Sequence, residues 1–200
     1  MTKYRKANEF SPPYHALRDL GLVGAQLERA KLQGFSLRGV NFTNANLRGA
    51  DLAGADLRGA NFTRADLSQA NLHMADCSFA KFSGADLTMS YGRATLFFKC
   101  DLSYAMMRRV TWKNCFVLDC NLEGADFAQA FLVGTRFNGS ITRDLKNADP
   151  TKPGGPVFVW YLRQGGGPPR YEQDFQYRPY ATSVTGSLTF QENASRKRVG

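Results

Sequence analysis

From Leu20 to Gly139 the apolar residues recur every five positions and hold one frame without an insertion. Successive blocks read FSLRG, VNFTN, ANLRG, ADLAG, ADLRG, ANFTR and ADLSQ. The 120 residues make 24 such blocks. The third residue of each block, from Leu22 to Phe137, is apolar or Cys except at Gly92. The first residue is small or apolar, most often Ala, and the second is usually Asp or Asn in the middle of the run. An amphipathic helix needs an apolar spacing near 3.6 and a half-buried strand a spacing of 2. A spacing of five fits a chain that turns a corner at every fifth residue. Residues one and three of each block then point inward together, as alternate residues of a short strand do. Residues two, four and five face solvent or form the corner, where Gly and Asn suit tight turns. The pattern therefore places Leu52, Leu72, Phe97 and Trp112 in the core. Gly92, a core position with no side chain, predicts a bulge or dent.

The tandem blocks Ala50-Asp51-Leu52-Ala53-Gly54 and Ala55-Asp56-Leu57-Arg58-Gly59 resemble the pentapeptide-repeat family, with its A(D/N)LXX consensus, and the resemblance covers residues 20–139. It implies an all-β fold: a right-handed quadrilateral parallel β-helix with four blocks per coil. The 24 blocks would then form about six coils, about 29 Å long at a strand spacing near 4.8 Å. Some members of the family resemble duplex DNA in size and charge, bind type II topoisomerases and protect them from quinolone-type drugs. Those members are acidic and dimerise through their C-terminal end, two features missing here.

Outside the repeats, residues 1–19 read as a cap over the open end of the coil stack, which would otherwise be a free strand edge. Residues 140–200 read as a Pro/Gly/aromatic-rich extension with a basic tail, Arg196-Lys197-Arg198. Within it, Val157 to Leu162 (VFVWYL) is the one strand-like run.

Blocks four apart share a face in the implied geometry. On two neighbouring faces the outward positions become apolar: Met74, Phe79, Tyr91, Leu96, Phe98, Phe116, Leu118, Phe131 and Val133. A patch of this kind needs a cover. Two covers are open: the VFVWYL segment folded back, with Trp160 near Phe116 and Phe131, or a protein partner, a second copy of the chain included. Arg93, Arg108, Arg109 and Lys113 form a candidate anion-binding patch beside it. Arg38 and Arg58 make a weaker row.

Charge narrows the partner only slightly. The chain carries 26 Lys+Arg against 17 Asp+Glu, a formal net charge of +9. The excess is +2 in residues 1–19 (four basic, two acidic), +3 in 20–139 (13 against 10) and +4 in 140–200 (nine against five). A spread excess permits a nucleic-acid or membrane-surface partner without marking a dedicated groove. No run of 18 apolar residues occurs, so no transmembrane helix is expected. The N-terminus lacks the apolar core of a signal peptide.

The chemistry expected is that of a non-enzymatic interaction module. Four cysteines without a CxxC pair predict free thiols in a reducing, cytoplasmic compartment, or in a virion if the chain is phage-encoded. Cys77, Cys100, Cys115 and Cys120 all fall on inward positions and read as small buried hydrophobes. The only histidines are His15 and His73, so no metal cluster is expected. No phosphate loop, nucleophile elbow or HExxH motif occurs. The second-position Asp and Asn read as ligands of turn backbone rather than as acids or bases. Hence no cofactor and no small-molecule substrate are expected.

Overall fold

The computed structural model describes residues 21–148 and the backbone of a strand at Val157–Val159. Burial follows the five-residue frame. Leu52, Leu72, Phe97 and Trp112 are fully buried, and first-position residues from Ala25 to Thr135 are buried except Phe35. The stacked phenylalanines Phe42, Phe62 and Phe82 lie with ring centroids 5.0 Å apart, and Phe97 stacks on Trp112 at 4.8 Å.

Each block pairs in parallel with the block twenty residues on, as in Gln26↔Asn46, Asn46↔Asp66 and Asp66↔Asp86. The block Ala45–Gly49 shows why the sequence has its form. The Ala45 N–H closes the preceding turn on Phe42 O at 2.9 Å. The Asn46 N–H donates to Ala25 O in the rung below, and Leu47 and Gly49 donate to Asp66 O and Ser68 O in the rung above. One donor is left, the Arg48 N–H, and the Asn46 side-chain oxygen accepts it at 3.1 Å. The same bond runs from Ala53 to Asp51, Ser68 to Asp66 and His73 to Asn71. Asp or Asn at position two thus satisfies the one backbone donor that stacking leaves over. Turn geometry dictates position five: every fifth residue from Gly24 to Asp144 has positive φ, whether glycine or not. Where the corner closes with the turn bond this is the left-handed residue of the turn, where Gly and Asn cost least, and the corners at Ala94, Lys99, Asn114 and Asp119 keep the positive φ without that bond.

Later rungs change character. Five short strands appear: β1 (Tyr91–Arg93), β2 (Leu96–Phe98), β3 (Thr111–Lys113), β4 (Phe116–Leu118) and β5 (Phe131–Val133). β1, β3 and β5 stack in one parallel sheet and β2 and β4 in another. In each strand the second-position residue is Tyr, Leu, Thr or Phe, types that favour extended backbone more than Asp and Asn do.

The corner after β2 lacks the direct turn bond, and the rung above supplies a bridge. Cys120 Sγ accepts the Cys100 N–H at 3.4 Å and stands 3.3 Å from both Phe97 O and Leu118 O, which share its one proton. After β4, the Ser140 hydroxyl stands between the Cys120 N–H (3.1 Å) and Val117 O (3.0 Å). Thr135 donates to Trp112 O in the same way. The first-position thiols and hydroxyls therefore hydrogen-bond the backbone as well as fill the core. For Cys120 this replaces the expectation of an inert small hydrophobe.

Gly92 does not cause a bulge. It pairs in register with Trp112 in the β1–β3 ladder. A Cβ at Gly92 would lie 2.5 Å from Thr95 Oγ1, so the Thr95 side chain, bonded to Leu72 O at 2.7 Å, takes the space.

β6 (Val157–Val159) pairs in parallel with β5, Phe131 opposite Val157 and Val133 opposite Val159. The expected strand at 157–162 thus exists over its first three residues. It extends the sheet edge as the next rung after β5. The rungs run past the expected end at residue 139, with Asn121↔Ile141 and Asp126↔Lys146 still paired in parallel at an offset of twenty. Trp160, the expected cap at 1–19 and the rest of the extension lie outside the described residues.

Candidate interaction surface

Second and fourth positions of β2 and β4 point outward, so their ladder sets Leu96 against Phe116 and Phe98 against Leu118. These four are half-buried. Met74 (64% exposed) and Phe79 are exposed at the adjoining corners, and Tyr91 (48%) and Phe131 are exposed on the neighbouring sheet of β1, β3 and β5. Phe79 packs edge-on against Phe98 with centroids 5.5 Å apart. Cations lie over two rings: Lys99 over Phe98 at 5.3 Å and Arg136 over Phe116 at 5.7 Å. The patch is therefore apolar, with Lys99 and Arg136 over its rings and Asp76 on the rung before Leu96. Val133 is a correction: expected in the patch, it is 4% exposed and opposes Val159 in the β5–β6 ladder. The frame also puts Met89, Tyr104, Met106 and Ile141 on the surface, all exposed and all missed as apolar surface. Sorting second and fifth positions by face would have found them.

The basic patch divides. Arg108 Nε donates to Asp126 at 2.6 Å, and Arg109 Nε donates to Gln129 at 2.6 Å. Burial pushes the Asp126 carboxyl up, but hydrogen bonds from Asn147, the Ala128 N–H and Arg108 outweigh it and hold the pKa below the usual value. Arg58 is likewise engaged, by a bidentate pair with Asp56 at 2.7 and 2.6 Å. The Arg58 guanidinium holds the Asp56 carboxyl down. Arg93 and Lys113 line one groove with His73, Tyr91, Asn71 and Thr111. Sequence reasoning did not join these six, although all sit twenty residues apart in two columns.

The four cysteines are free and buried. Burial pushes the Cys77 and Cys115 thiols up, and the hydrogen bond with Cys120 together with burial does so for Cys100. Among the described residues no three His, Cys, Asp or Glu side chains group as metal ligands would, and no helix is long and apolar enough to cross a membrane.

No curated protein matches the chain. Several solved structures are similar to it. HetL, a pentapeptide repeat protein involved in heterocyst differentiation regulation from the cyanobacterium Nostoc sp. strain PCC 7120, is 27% identical over 62% of this chain and 62% of its own, with a TM-score of 0.31. A pentapeptide repeat protein of the Arabidopsis thaliana thylakoid lumen is 31% identical over 55% of this chain and 62% of its own, with a TM-score of 0.35. Trypsin-treated QnrB1, a plasmid-mediated fluoroquinolone resistance protein, is 19% identical over 60% of this chain and 86% of its own, with a TM-score of 0.40. The chain thus spans less than two thirds of the first two relatives. The family model for pentapeptide repeats matches in eight copies, over residues 22–59, 50–88, 75–114 and 120–141. Together with the five-residue frame and the parallel register of twenty, this match identifies the chain as a member of the pentapeptide-repeat family.

Proposed function

We propose that the chain is a non-catalytic interaction module. It is a right-handed, four-sided β-helix of about six coils that starts near residue 20 and continues past residue 139 to the Asp126↔Lys146 pair, with a cap at 1–19 and an extension after it. It presents the Leu96, Phe98, Phe116 and Leu118 face to a protein partner within a larger assembly, such as a virion, in a reducing compartment. The observation that carries this reading is the change in the outward column. Asp56, Asp76 and Ser78 on earlier rungs give way to Leu96, Phe98, Phe116 and Leu118 on two consecutive rungs. Nothing in the β-helix needs apolar side chains there, since outward residues do not build its core. Covering them is favourable by about 25 cal/mol per Å² of apolar area. Lys99 and Arg136 on one side and Asp76 on the other fit a partner of mixed charge around an apolar centre. A polyanion mimic is a poorer fit, because the net charge is +9.

The test is comparative affinity purification from source cells with the native chain and a Phe98→Asp/Phe116→Asp variant. Both rings are half-buried and Phe98 packs on Phe79, so melting curves are compared first and the purification is done below the melting point of both proteins. The reading expects one stoichiometric partner with the native chain and its loss with the variant. An unchanged set of co-purifying proteins refutes it.

A further inference from the structure

A groove of about 300 Å³ runs over the outward side of β1 and β3. The β1–β3 ladder is its floor, with Tyr91 opposite Thr111 and Arg93 opposite Lys113. Residues i and i+2 of a strand share a face, so two rails rise from this floor. One carries Asn71, Tyr91 and Thr111, and the other carries His73, Arg93 and Lys113. No lining residue is acidic. Along the first rail Phe131 follows Thr111 in the β3–β5 register, and its ring is 42% exposed.

The two rails differ in chemistry and run side by side. The second offers two cations on consecutive rungs, about 4.8 Å apart, with an imidazole on the rung before. The first offers exposed aromatic rings at Tyr91 and Phe131, two rungs or about 10 Å apart. That distance is close to three base-stacking steps of about 3.4 Å. A cationic track beside spaced aromatic rings is the arrangement that holds unpaired nucleotides, phosphates on the charges and bases on the rings. A duplex keeps its bases stacked inside and would leave both rings unused. A purely acidic chain such as polyglutamate would satisfy the cations but has no side chain to stack on the rings. We propose that this groove binds a short stretch of single-stranded nucleic acid, with phosphates on Arg93 and Lys113 and bases at Tyr91 and Phe131. The groove lies beside the apolar face of β2 and β4 and does not depend on the partner proposed for that face.

Fluorescence anisotropy with the full chain and labelled oligo-dT and oligo-U tests this. A duplex of equal length and polyglutamate serve as competitors, and salt is varied from about 50 to 200 mM. Tyr91→Leu should weaken binding at least about fivefold, the lower end for losing one stacked base. Tyr91→Phe should bind like the native chain. The Arg93→Ala/Lys113→Ala double variant should flatten the slope of log K against log salt by about 1.4, or about 0.7 for each lost phosphate contact on a single strand. Melting curves of the variants should overlay, since all the changed side chains face outward. No binding at the lowest salt overturns the proposal. So does displacement by duplex or polyglutamate as effective as by single strand. Native affinity in Tyr91→Leu also overturns it, since binding would then come from basic residues elsewhere, such as Arg196 to Arg198.

Discussion

The thiol bridge at Cys120 can be isolated with a pair of substitutions of nearly equal shape. Cys120→Thr keeps a group that both donates and accepts. Cys120→Val replaces it with a methyl. Thr and Val already occupy buried first positions in this chain, at Thr95, Thr135, Val40 and Val110. Both variants should therefore fit the backbone and share any packing cost. They differ in what happens below them, at the Cys100 N–H and Phe97 O, which the Cys120 thiol joins. Val leaves both unpaired at a site where Cys100 and Cys120 are 2% and 1% exposed. Each buried polar group left without a partner costs about 1–3 kcal/mol. The corner can recover part of this by closing onto the direct turn bond that other corners make, as from Ala45 N–H to Phe42 O at 2.9 Å. The expected difference between the variants is therefore about 2 kcal/mol. With an m-value of about 2 kcal/mol/M, that is about 1 M in the urea midpoint. Equilibrium urea unfolding under reducing conditions, followed by far-UV circular dichroism, reads it directly. If the Thr and Val variants unfold at the same midpoint, the bridge contributes nothing and Cys120 is only a small hydrophobe.

Leu72→Ala removes a fully buried third-position side chain and should cost about 2–5 kcal/mol, whereas Arg58→Ala, which loses a solvent-screened ion pair, should change stability little; chemical denaturation of the two variants checks the ranking. The depressed Asp126 pKa stabilises the fold above the usual carboxylate pKa of about 4. That contribution falls away as pH drops through the lower folded value. Asp126→Asn should flatten stability against pH below about pH 4, and parallel profiles for the two proteins would contradict it. Thiol reagents should label Cys77, Cys100, Cys115 and Cys120 only after denaturation, because all four are buried and burial favours the protonated thiol in Cys77, Cys100 and Cys115. Rapid labelling of the native protein, counted by intact mass, would show that the core opens.

The amino-acid sequence by itself determined the inward and outward sense of nearly every residue from Ala25 to Phe137. That sense depends on a local pattern: a strand alternates sides, a turn follows, and only small or apolar residues fit the two inward places. The role of Asp and Asn at position two is local as well, because the donor they satisfy lies two residues away in the same block. Other features depend on which rung lies above. Cys100 and Cys120 look alike in the sequence, yet the bridge at Cys120 exists because the corner of the rung below lacks its own turn bond. Arg108 and Arg109 read as open cations until Asp126 and Gln129 are brought onto them from 18 and 20 residues on. Gly92 reads as a defect until Thr95 is seen to fill its place. Val133 reads as surface, but it is buried, and β6 pairs with its strand at an offset of 26 where the repeat predicts 20, as in Phe131 opposite Val157. Local sterics repeat along the chain and can be read from it. Hydrogen-bond partners and covered edges are set by contacts between rungs, about eighteen or more positions apart in the chain, and only the stacked structure brings those together.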